Sequence, residues 1–139
     1  ELFSKLSAAS GAAVPVLFDA ALRAIRESRD DVLWPAAKVI KRFRGEALEQ
    51  RLPDLSPLVR SDQAPTRRLS ALFLGILADR SAAHYLVELL RDPDETVRYE
   101  AIDSLFEITG DDLGYVSDAT DAERSPAVAR WDAWLAERR

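Results

Sequence analysis

The chain has no cysteine and no methionine, and a single histidine in 139 residues. Without cysteine there is no disulfide framework, no thiolate nucleophile and no cysteine metal site. The same absence leaves the compartment open, because a cysteine-free chain folds in either redox setting. A metal site would have to rest on His84 and carboxylates alone. Its neighbours Ala83 and Tyr85 suggest a partly buried helix position, so His84 reads as structural. Glycine is scarce, with five residues. No Gly-x-Gly-x-x-Gly or Walker sequence offers a phosphate cradle, and no Gly-x-Ser-x-Gly elbow offers a hydrolase nucleophile. β-Branched residues are sparse and nothing alternates cleanly over five residues, so no strand competes with helix. No apolar run approaches the roughly 18–20 residues a membrane span needs, and no signal peptide is visible. These absences lead to the expectation of a cytoplasmic protein with no membrane association, no cofactor and no evident small-molecule substrate. The chain starts at Glu1 without methionine, which implies a processed product or a piece of something longer.

What is present favours helix. Hydrophobic residues make up 47% and charged residues 31%, which suits a folded domain and excludes a fully disordered one. One domain of this length buries roughly two-thirds of its unfolded surface. The net charge is −5 and the pI about 4.9. A protein that neutralises phosphates usually carries excess Lys and Arg, so the balance argues against nucleic acid as the partner.

One pattern occurs three times: Val32, Ala36, Ile40, Phe43; then Thr66, Ser70, Leu74, Leu77; then Val97, Ala101, Leu105, Ile108. Spacings of four, four and three place each set on one face of a helix. The copies are offset by 34 and then 31 residues. Each follows a second apolar stretch: Phe18, Ala21, Leu22, Ala24 and Ile25; Leu55, Leu58 and Val59; Leu86, Leu89 and Leu90. The last two share the 31-residue offset. The unit is therefore helix, short turn, helix. Asp31, Asp62 with Pro65, and Asp92 with Pro93 mark the second-helix starts. Asp94 and Glu95 fall in a first turn, where they oppose the helix dipole. Gly45 and Gly110 sit where C-terminal caps belong. Ser81 is placed to cap the helix carrying His84, and Ser125-Pro126 to open the last helix, from Ala127 to about Glu137. Pro53 predicts a break, followed by a short helix from Asp54 to Arg60. Leu2, Phe3, Leu6 and Ala9 have helical spacing, as a cap or the remnant of an earlier repeat.

The run Leu86-Val87-Glu88-Leu89-Leu90-Arg91-Asp92-Pro93-Asp94-Glu95-Thr96-Val97-Arg98-Tyr99-Glu100-Ala101 resembles a HEAT repeat of the short bacterial kind. There a Leu-rich turn ends the first helix, an Asp-Pro turn follows, and Val-Arg opens the second helix with Ala one turn later. In the second unit Thr66-Arg67 stands for Val-Arg. In the first, Leu33 replaces the Arg and Pro35 is inserted. The resemblance covers about 14–110. Thr109 to Tyr115, with Arg130 to Leu135, looks like the closing segment of such arrays, with Tyr115, Trp131, Trp134 and Leu135 as its cover. It implies an all-α, right-handed superhelix of about three helix pairs plus a capping helix. One domain, 1–139, would comprise repeats 14–45, 46–79 and 81–110 and a cap 111–139. HEAT-like arrays mostly act as scaffolds. A minority resemble DNA alkylpurine glycosylases or bilin lyases, whose motifs have no match here.

Charge is unevenly distributed. Asp92 to Glu123 holds 11 acidic residues and one basic, Arg98, whereas Arg23 to Arg80 holds 12 basic and 8 acidic. Asp111, Asp112, Asp118, Asp121 and Glu123 lack the spacing and glycine of a calcium loop. The resemblance places second helices on the concave side. Their outward faces would carry Lys38, Lys41, Arg42, Arg67 and Arg68, followed by Glu100, Asp103 and Glu107. The expectation is a non-enzymatic module binding another protein through this surface. The alternatives are a nucleic-acid or base-repair module using the basic stripe, and a HEAT-like lyase.

Overall fold

The computed structural model describes residues 13–43 and 46–138. Gly45 and the stretch Leu2–Ala9 lie outside the described residues. Among those described the architecture is all-helical, without a strand. Helix α1 (Val14–Arg26) and α2 (Asp30–Ile40) form the first hairpin. Next come α3 (Glu46–Arg51), a 3-10 turn (Leu52–Leu55) and the single-turn α4 (Ser56–Val59): the α-helix breaks at Pro53 as expected, but the short helix after it starts at Ser56 rather than Asp54, with Pro57 in its first turn. Helix α5 (Ala64–Leu77) packs against α4. A 3-10 turn (Arg80–Ala82) leads into α6 (Ala83–Leu89), which packs against α7 (Glu95–Thr109). Helix α8 (Asp121–Ala136) is the last described helix.

The second helices touch in the order α2, α5, α7, with α5 between the other two. On the other side α1 meets α3, α4 meets α6, and α6 meets α8. The repeated seam explains this. Ala36, Ile40, Ser70, Leu74, Leu77, Val97, Ala101 and Leu105 are all buried, as are Phe18, Leu22, Ile25, Leu58, Leu86, Leu89 and Leu90. Val32 and Ile108 are only partly buried against the core. They sit in the first turn of α2 and the last turn of α7.

Small residues set the closest approach. Ser104 of α7 donates its hydroxyl to the Ala71 carbonyl of α5 at 2.8 Å. A Cβ on Gly75 would lie 2.7 Å from Ser104 Cβ and 3.1 Å from Ser104 Cα, so only glycine fits this crossing.

The Arg of the Val-Arg pair has a repeated job. Arg67 donates to the Ser61 carbonyl and Arg98 to the Asp92 carbonyl, each six residues back and each at 2.8 Å. Arg67 also reaches the next turn, gripping Asp92 at 2.7 and 3.1 Å. Arg98 reaches the Ser117 carbonyl instead, tying the loop after α7 to the third turn. Leu33, at the equivalent place in the first unit, is fully buried.

Several boundaries differ from the sequence expectation. Asp31 does not cap α2: the helix starts at Asp30, and the Asp31 carboxylate binds the Arg29 guanidinium at 3.0 and 2.9 Å. Helix α5 starts where Asp62 and Pro65 marked it, with Gln63 as N-cap and Pro65 in its first turn. Asp94, not Asp92, caps α7, accepting from the Thr96 and Val97 amides. Asp92 is held instead by Arg67 and by the Asp94 amide at 2.9 Å. Ser81 is itself a donor to Asp79, which caps the 3-10 turn ahead of α6. Helix α8 starts at Asp121, upstream of Ser125-Pro126. Thr120 and Glu123 cap each other's backbone at 3.2 and 3.0 Å, and the helix runs on through Pro126. Gly110 does end α7, at φ 80°.

The closing segment covers the third hairpin. Trp131 is fully buried and donates to the Asp112 carbonyl at 3.0 Å. Tyr115 donates to the Leu90 carbonyl at 2.6 Å. Trp134 and Leu135 are half-buried against the core.

Candidate functional site

A groove of about 440 Å3 runs along the second helices. Each contributes one face: Trp34 and Lys38 from α2, with Lys41 at its C-cap; Leu72, Gly75 and Ile76 from α5; Glu100, Asp103, Ser104 and Glu107 from α7. The α2 residues are spaced four and three, and the three α7 carboxylates three and four, so each set forms a line along its helix. The floor is apolar, one wall cationic and the other anionic.

Five of the eight surface residues expected from the sequence meet here: Lys38, Lys41, Glu100, Asp103 and Glu107. Arg68 bridges helices, contacting Glu100 at 3.2 Å and Asp30 at 3.6 Å. Arg42 is exposed in the turn after α2 and does not line the groove. Arg67 is not part of the exposed surface. Its side chain is 14% exposed and is committed to Asp92 and the Ser61 carbonyl, because it points along the hairpin stack rather than across it. The basic stripe expected from the sequence is thus interrupted.

The sequence reading missed Trp34, Leu72, Ile76 and Ser104. Trp34 was detectable, since it stands four residues before Lys38 and seven before Lys41 on the same helix face. It is 43% exposed, and Lys38 Nζ lies 5.7 Å from its ring centroid, within reach of a cation–π attraction. Asp103 and Glu107 make no ion pair among the described residues. Glu100 is half-buried, and burial pushes its carboxyl above the ordinary value; Arg68 pulls it part of the way back, and Asp103 and Asp30 oppose Arg68.

The Ser104 hydroxyl is spent on a backbone carbonyl, so no base activates it. His84 is exposed rather than partly buried, while its neighbour Tyr85 takes the buried position. Its Nδ1 lies 3.1 Å from the Ser81 carbonyl. Among the described residues no group of three or more histidines and carboxylates is placed to hold a metal, and no helix is long and apolar enough to cross a membrane. Comparison with protein-family models, curated proteins and solved structures finds no match.

Proposed function

We propose that the chain is a HEAT-like helical array, a right-handed superhelix, that acts as a non-enzymatic protein-interaction module and takes its partner in the α2–α5–α7 groove. The repeated Arg contact six residues back and the contact order of the second helices support the repeat reading. One observation carries the functional reading: an exposed tryptophan and an apolar floor lie between walls of opposite charge. Exposed aromatic anchors rimmed by charge are what protein partners bury, and the rim charges select the partner and its orientation. Among the described residues the groove holds no nucleophile hydrogen-bonded to a base, as nucleophilic hydrolysis would need. A nucleic-acid partner is disfavoured, since Arg67 and Arg68 are neutralised by Asp92, Asp30 and Glu100.

The test is quantitative affinity capture on the immobilised chain beside a Trp34→Ala/Lys38→Glu/Lys41→Glu variant. All three side chains are exposed, so the variant should melt close to wild type. We expect a specific protein retained by wild type to fall at least about tenfold on the variant. Equal retention would remove the groove from consideration, and salt-sensitive retention of nucleic acid would favour the other partner class.

A further inference from the structure

The other flank of α7 carries a second surface. Five large hydrophobic side chains are exposed among the described residues: Val16, Trp34, Tyr99, Phe106 and Val116. Three of these, Tyr99, Phe106 and Val116, line one open cleft of about 300 Å3 together with Ile102. Tyr99, Ile102 and Phe106 are spaced three and four, so they form a stripe down one face of α7. Val116, from the loop that follows, stands along its edge. Tyr99 is 60%, Phe106 50% and Val116 55% exposed. Clustering of this kind marks an interaction site more often than scattered surface residues do.

Packing order says what shape is missing. Helix α5 is flanked by α2 and α7, but among the described residues α7 packs against a second helix of the row on the α5 side alone. The chain continues through α8, which packs against α6 in the other row. The outer flank of α7 is therefore where one more helix of the second row would lie.

Charge says what kind of helix. Asp103 and Asp112 line the cleft, within a segment of 11 acidic residues from Asp92 to Glu123. Its one cation, Arg98, is buried and spent on the Asp92 and Ser117 carbonyls. In α8, Arg124 is paired with Asp121 and donates to the Ala119 carbonyl, and Arg130 donates to the Leu113 carbonyl. A second copy docked symmetrically would bring this acidic surface against itself, which costs free energy.

We infer that the outer flank of α7 binds an amphipathic helix of a partner protein, laid beside α7 with apolar residues on Tyr99, Ile102, Phe106 and Val116 and with Lys or Arg along its flanks. This is the helix-in-groove mode of recognition, read by anchors at i, i+3, i+4 and i+7. The inference does not depend on the α2–α5–α7 groove.

The probe is a fluorescein-labelled synthetic peptide of about four helical turns, with Leu at i, i+3, i+4 and i+7 and Lys at the flanking positions. A matched peptide carries Glu in place of Lys. Anisotropy should show saturable binding of the Lys peptide, and at least about tenfold weaker binding of the Glu peptide at low salt. That difference should shrink at about 0.5 M salt, where exposed charges are screened. Tyr99→Ser/Phe106→Ser should weaken the Lys peptide by at least about tenfold, whereas Trp34→Ala should leave it unchanged and thereby separate this site from the groove. The inference is overturned if the Lys peptide does not bind, if both peptides bind equally, or if the Tyr99/Phe106 variant binds as wild type. A wild-type dimer that the same double variant converts to monomer would assign the flank to self-association instead.

Discussion

Removing the Asp92 carboxylate leaves the Arg67 guanidinium without its counter-ion and the Asp94 amide without its acceptor. Both partners of the ion pair are largely buried, at 14% and 5% exposure, and an abandoned buried charge is costly. Asp92→Ala should therefore lower unfolding free energy by about 3 kcal/mol in urea denaturation; a loss under about 1 kcal/mol would place the pair in solvent. Gly75→Ala separates two effects of opposite sign. Helix propensity alone favours alanine by about 1 kcal/mol, but the added methyl meets Ser104. The crossing should win, with a net loss of about 1–3 kcal/mol; a gain would mean that α5 and α7 stand further apart. Glu100 gives a pH signature. Its folded carboxyl is held above the ordinary value, chiefly by burial, so in that window the folded state binds more protons than the unfolded. Stability should fall as pH rises through the window, and Glu100→Gln should flatten that fall.

Local pattern made α2, α5 and α7 legible, because each buries one face whose spacing repeats. Helix starts were less so. Near α7, Asp92 and Asp94 both qualify as caps, and the choice between them depends on Arg67, which comes from another hairpin. At α8, Pro126 suggested a start, yet the Thr120-x-x-Glu123 signature of a capping box was present upstream. Thr120→Ala should cost about 1 kcal/mol in thermal unfolding, whereas Ser125→Ala, exposed and inside the helix, should change stability by less than about 0.5 kcal/mol. The reverse order would return the helix start to Ser125.

At the scale of the molecule, the hairpin order and the acidic C-terminal third could be read from the chain, and they brought five of the eight expected surface residues into one groove. The floor could not be read in this way. Leu72 and Ile76 belong to an apolar helix, and which of its faces stays open depends on how α2 and α7 seat against it. The same dependence hid the commitment of Arg67. The seam itself is the exposed point of the fold: Leu105 is fully buried, and Leu105→Asp should abolish the cooperative melt, because an unpaired buried charge has no compensation. Recognition is tested most directly by amide hydrogen exchange of the chain alone and in complex with the protein captured on it. Added protection should concentrate on α2 around Trp34 to Lys41 and on α7 around Glu100 to Glu107, with α1 unchanged. Protection confined to α1 and α3, leaving both groove walls exchanging as in the free chain, would contradict the account.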